Sequence, residues 1–141
     1  MTYWLGVASA EHVRRGVSLG IAQIGHGKRG NLAKMQPGDG LAYYSPRESL
    51  ADSKPTLQAF TVIGYVPDDT IWQADEGDFQ PWRRGLTYTQ GASPAALSVI
   101  RDHLELTAQP NWGYSLRRGL IELSEHDFRV IEATMTDTTG T

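Results

Sequence analysis

The chain contains no cysteine, which removes disulfides, thiolate catalysis and cysteine-based zinc sites. No run approaches the ~20 apolar residues that a spanning helix needs, and Glu11, Arg14 and Arg15 break the apolar pattern of the N-terminal segment. A soluble, unexported, cytoplasmic protein with no membrane partner is therefore expected. Histidine is sparse: the four, at positions 12, 26, 103 and 126, form no HxxxH or HxH pair, and neighbouring acids such as Asp102 and Asp127 read as helix-surface residues. No metal site and no cofactor are expected. Ser45, His26 and Asp39 make a hydrolytic trio only on paper, because Ser45 lacks a GxSxG elbow.

An excess of basic charge is absent too. With 13 Lys and Arg against 16 Asp and Glu, the formal net charge is −3. Five of the acids, Asp68, Asp69, Asp75, Glu76 and Asp78, fall within residues 68–78, which hold no base, so the remainder carries a small basic surplus. Such segregation permits a basic face. The surplus is too small for strong non-specific binding to duplex, and affinity for a nucleic acid has to come from a pocket. A chain of 141 residues fits one domain, expected over 1–135, with a flexible tail at 136–141.

Against these absences stand clusters of aromatic and basic residues. Asn111-Trp112-Gly113-Tyr114 lies just before Arg117-Arg118-Gly119, Trp82-Arg83-Arg84 repeats the pairing, and His26-Gly27-Lys28-Arg29 adds donors on a glycine-rich turn. Flat apolar rings beside guanidiniums suit a nucleobase and its phosphate. The turn lacks Walker spacing and the hydroxyl residue after the lysine, so it either presents Lys28 and backbone amides to one phosphate or simply reverses the chain.

The periodicity predicts strands at Tyr3–Ala8, Ile21–Ile24, Leu41–Ser45, Leu57–Val66, Ile71–Gln73 and Trp82–Tyr88. Ser9 is expected to cap a short helix reaching Val17, Asn31 one reaching Met35, Ser93-Pro94 to open one through Leu104, and Ser124 to open the last. Alternation along Leu41–Ser45 sets Tyr43 and Tyr44 on opposite faces, one as core and the other lining something. Strands this short with helices between them suggest a closed or nearly closed β-barrel.

Five motifs in order resemble the EVE domain proteins: Tyr3-Trp4-Leu5-Gly6-Val7; His26-Gly27-Lys28-Arg29 with Leu32 to Asp39; Tyr43-Tyr44-Ser45-Pro46-Arg47; Gln58 to Gly64; and Asn111 to Tyr114 with Arg117-Arg118-Gly119-Leu120. The resemblance implies an α+β, PUA-like fold, a small mixed β-barrel flanked by short helices and related to the YTH and ASCH domains. It further implies a nucleobase pocket at the barrel mouth and recognition of modified DNA bases, such as methylated cytosine, or of modified RNA.

On that resemblance the nucleobase-binding residues are expected to be Trp4, Tyr44, Ser45, Trp112 and Tyr114, with Trp4, Tyr44 and Trp112 converging on one cavity. Phosphate is expected on His26, Lys28, Arg29, Arg47, Arg117 and Arg118. The expected function is non-catalytic binding of a nucleic acid, DNA or RNA, that carries a modified base. Stacking at about 1–3 kcal/mol per base against an extrusion cost of a few implies weak binding by one copy and points to a partner such as a nuclease. The alternatives are a small enzyme acting on a nucleotide or related small molecule, with His26, Tyr44 or Ser45 as general acid or base, and a protein whose tryptophans are simply core.

Overall fold

The computed structural model describes residues 1–24, 28–49, 51–54 and 56–136. Its first strand, β1 (Tyr3–Val7), leads directly into α1 (Ala10–Leu19), where Ser9 Oγ accepts the His12 amide and Gly20, at φ 68°, ends the helix in the left-handed region. The short β2 (Ile21–Ala22) follows, then α2 (Arg29–Leu32) and β3 (Gly40–Ser45). Asn31 lies inside α2 and does not cap it; its amide reaches across the molecule to the Arg118 carbonyl at 3.1 Å.

Next come β4 (Ala59–Tyr65), β5 (Ile71–Gln73), β6 (Trp82–Gly85) and β7 (Thr87–Tyr88). The single strand expected over 82–88 is thus two, parted at buried Leu86, and the halves join different sheets. Ser93-Pro94 does not start a helix, because the residues after it, Ala95 and Ala96, pair with Phe60 and Ala59 of β4. Two residues of strand, β8 (Ala95–Ala96), intervene before α3 (Leu97–Ile100). The chain then forms 3-10 turns, α4 (Trp112–Ser115), β9 (Leu120–Leu123) and α5 (Glu125–Thr136). Thr136 is the last residue of that helix; the rest of the expected tail lies outside the described residues. Asp127 is not a surface acid: it is buried and accepts the Glu105 and Leu106 amides at 2.7 and 2.8 Å, tying α5 to the preceding turn.

The main sheet runs β7-β4-β3-β1-β9, with β8 on the same edge of β4 as β7; β2, β6 and β5 form a second sheet. β1 and β3 are parallel and the other pairs antiparallel. This is a mixed α+β fold, but among the described residues the barrel expected from the resemblance does not close. Closure requires one edge strand to hydrogen-bond the other. Here one edge of the main sheet is β9, and the other is divided between two strands of two residues, too short to continue the ladder round to it.

Both faces of the main sheet are covered, which side-chain alternation turns into two cores. Tyr3, Leu5, Ala42 and Tyr44 face α5 and α3, while Leu41 and Tyr43 face Val13 of α1 and Leu32 of α2. The pair Tyr43 and Tyr44 therefore does not divide into one core and one lining residue; each is core, on its own side, at 2% and 4% exposure. Tyr3 packs on Phe128 at 4.6 Å between ring centres. Among the described residues no helix is long and apolar enough to cross a membrane.

Candidate functional site

Parallel pairing of β1 and β3 brings their carboxyl ends out side by side, and antiparallel β9 starts at the same end of the sheet. The connections leaving these strands are stitched together by backbone bonds. Val7 donates to the Gly119 carbonyl (2.9 Å), Ala8 to Tyr44 (3.2 Å), Ala10 to Arg47 (3.0 Å) and Glu11 to Glu48 (2.9 Å). Between them lies a cleft of about 470 Å³, walled by Val7, Ala8 and Ser9, by Pro46 and Arg47, by Leu116 to Gly119, and by His12, Gln23 and Phe79. That volume lies within the usual range of ligand pockets.

Three of the six phosphate donors expected from sequence meet here. Arg117 and Arg118 are exposed, and half-buried Arg47 is steadied by donating Nη1 to the Asp52 carbonyl at 2.9 Å. Lys28 and Arg29 are exposed but do not line the cleft; the Arg29 guanidinium sits over the Trp82 ring at 5.9 Å. His26 lies outside the described residues. The N-terminus of α1 opens on the cleft, yet its amides at 10–13 are already taken by the Arg47 and Glu48 carbonyls and by Ser9. Any anion held here therefore falls to the guanidiniums.

The expected base-binding rings are not brought to the same place. Trp4 projects to the α1 face, opposite Tyr44, so the convergence of Trp4, Tyr44 and Trp112 fails. Strand alternation decides this, since β1 and β3 are in parallel register with Trp4 beside Leu41 and Val7 beside Tyr44. Trp112 is half-buried and meets Tyr44 edge-on at 6.4 Å between ring centres, with Arg101 at 6.0 Å from its own ring centre. Ser45 is wholly buried and shares a 2.8 Å hydrogen bond with Thr61, which a bulge in the β3–β4 ladder sets beside it. Tyr114 remains 70% exposed with Arg117 at 5.0 Å over its ring.

The aromatic ring that does wall the cleft is Phe79, which sequence reasoning passed over inside the acidic segment. It is 45% exposed, and the signal available was a bulky apolar residue between Asp78 and Gln80. Its backbone pairs with Glu76, whose amide donates to the Phe79 carbonyl at 2.9 Å. Hydrogen bonds from Arg15, and from Arg83 as well, hold the Glu76 carboxyl below its usual pKa and pin this hairpin to α1 and β6. Opposite in role is Arg84, grouped with Trp82 and Arg83 by sequence. It is fully buried and spends its guanidinium on the carbonyls of Leu32 (2.8 Å), Met35 (2.7 Å) and Asp68 (2.7 Å), a staple and not a ligand contact.

The general acid–base candidates are similarly engaged. Burial raises the pKa of the Tyr44 phenol, the Ser45 hydroxyl is shared with Thr61, and His26 lies outside the described residues; His12, which lines the cleft, donates Nε2–H to the Gln23 carbonyl at 2.9 Å. Among the described residues no group of three His, Asp or Glu is placed to hold a metal ion. Asp39 accepts from Trp4 Nε1 (2.9 Å) and from the Thr2 and Gln36 amides (3.0 and 2.9 Å). Burial would raise its pKa, but these three donors outweigh burial and hold the carboxyl below the ordinary value. Its stabilising contribution is thus complete above the unfolded pKa of about 3.9 and disappears as pH falls through the lower folded value. Asp39→Asn is expected to lower Tm at neutral pH and to flatten the decline of Tm between pH 5 and 2.5; parallel curves for parent and variant exclude Asp39 as the source.

Comparison with known proteins agrees with this architecture. The chain is 47% identical over 138 residues to a UPF0310 protein of Renibacterium salmoninarum, covering 98% of each, and 45% identical over 137 residues to one of Mesorhizobium japonicum, covering 94% and 91%. Its fold is similar to that of a hypothetical protein from Leishmania major (TM-score 0.61, 10% identity, 94% and 92% coverage). A protein from Pseudomonas putida is equally similar (TM-score 0.61, 15% identity, 94% and 99% coverage). The EVE domain model matches residues 2–134, and with relatives this similar over nearly their whole length, the chain belongs to the EVE domain family.

Proposed function

We propose that the cleft receives one nucleotide of a DNA or RNA strand and reads a modification on its base, without catalysing a reaction. The observation that carries this is the convergence of Arg47 with Arg117 and Arg118, seventy residues apart in sequence, on the rim of a cavity walled by backbone, Leu116 and the Phe79 ring. Guanidiniums place the phosphate and carry no sequence information, whereas the ring and the enclosed wall distinguish bases. Phe79 takes, inside the cleft, the stacking role that the resemblance had given to Trp4, Tyr44 and Trp112. Because three rim cations and one ring supply modest affinity, the module works beside a partner such as a nuclease, or in more than one copy.

The test is fluorescence anisotropy with single-stranded 12-mers carrying one cytosine, 5-methylcytosine, 5-hydroxymethylcytosine or N6-methyladenine. Changing Arg47, Arg117 and Arg118 together to Ala is expected to weaken binding to every probe by roughly tenfold or more and to reduce the salt slope by about 0.7 for each phosphate they hold on a single strand. Phe79→Ala is expected to erase the preference among bases while leaving the salt slope unchanged. A triple variant that binds as the parent does, with the same salt slope, sinks the proposal.

A further inference from the structure

We infer that the ligand is a single strand of at least two nucleotides, whose second base stacks on Tyr114 outside the cleft. This rests on the cleft holding the first. Tyr114 is a large aromatic at 70% exposure, and its neighbour Trp112 in α4 turns inward against Tyr44, so the short helix is anchored by one ring and displays the other. The Ser115 hydroxyl closes the same turn on the Trp112 carbonyl at 2.6 Å. A ring on an anchored turn is a stacking platform that needs little ordering on binding.

Arg117 links this platform to the cleft. It is one of the residues that line the cleft, and its guanidinium lies 5.0 Å from the centre of the Tyr114 ring. A phosphodiester joining a base in the cleft to the next nucleotide meets Arg117 first, and the following base meets Tyr114. Arg117 covers one face of the ring, and the exposure of the residue leaves the other for a base. The hairpin that carries Phe79 is acidic on balance: Asp75 and Asp78 are exposed, and the two arginines beside it, Arg15 and Arg83, are already paired with Glu76. A phosphate chain leaving on that side meets carboxylates, so the strand leaves over Arg117. A duplex lying across the cleft would bring a second backbone towards those acids, which favours a single strand or an extruded nucleotide.

The experiment compares 5′-mononucleotides with single-stranded 12-mers carrying the same base, using whichever of the four bases above binds the parent most tightly. Tyr114→Ala is expected to leave mononucleotide affinity unchanged and to weaken the 12-mer roughly tenfold or more, the loss of one stacked base. Tyr114→Phe keeps the ring face and is expected to bind within about threefold of the parent. Matching thermal melts establish that both variants fold. If the parent binds the 12-mer no better than the mononucleotide, or if Tyr114→Ala weakens both equally, the second site is overturned while the cleft reading stands. If the parent binds none of the probes, both readings fall.

Discussion

Arg84→Ala is expected to lower folding stability by about 3–5 kcal/mol, the largest effect of any single side-chain truncation proposed for this protein. The guanidinium fork holds three backbone carbonyls, those of Leu32, Met35 and Asp68, and so joins α2, the turn after it and the segment leaving β4 to β6. Truncation leaves three buried or half-buried acceptors unpaired and opens a cavity. Among the described residues its one charged partner, Asp69, is 3.4 Å away with its side chain 84% exposed, so the staple acts mainly through neutral carbonyls. Arg84→Lys keeps the charge but replaces a planar fork by a single ammonium, and an intermediate loss of about 2 kcal/mol follows. Urea titration measures both; an Ala variant within 1 kcal/mol of the parent refutes the staple.

Trp112→Ala is expected to cost about 2–4 kcal/mol of stability, somewhat less than a fully buried tryptophan because the residue is half-exposed. Its indole closes the α5-side core at Tyr44 and accepts the Arg101 cation over its ring. Trp112→Phe retains the edge-on contact with Tyr44 and is expected to cost about 1 kcal/mol. Because the indole does not line the cleft, mononucleotide affinity of the folded Ala variant should stay within roughly threefold of the parent. Stability and binding therefore separate the two roles of this residue. A variant that melts with the parent yet loses mononucleotide binding would return Trp112 to the base site.

Much of the chain's architecture was legible before the structure, because it depends on neighbours in sequence. Ser9 and Ser124 cap helices where their hydroxyls meet the third amide onward. Apolar alternation located β1, β3 and β4 to within two residues at most ends, and the five ordered motifs led to the right family. The absence of cysteine and the acidic block at 68–78 were facts of composition alone. The resemblance named Arg47, Arg117 and Arg118 together with Lys28 and Arg29, and nothing local in sequence separates the first three, which line the cleft, from the other two, which do not.

Tertiary structure decided what each aromatic ring and each arginine does. A tryptophan beside an arginine looks the same in sequence whether it stacks on a base or closes a core, and which occurs depends on the element packed opposite. Trp4 was committed to the α1 side by the register of β1 on β3 and by the Asp39 carboxylate that takes its N–H. Arg84 was committed by three carbonyls from distant segments, and Leu86 parted one apparent strand between two sheets. Phe79 became a cleft wall because Glu76 is bound by Arg15, sixty-one residues earlier, and by Arg83. Propensity and periodicity are local and so can be read along a chain; burial, pairing partners and the sharing of one cavity are properties of contacts between remote segments, and only the folded arrangement determines them.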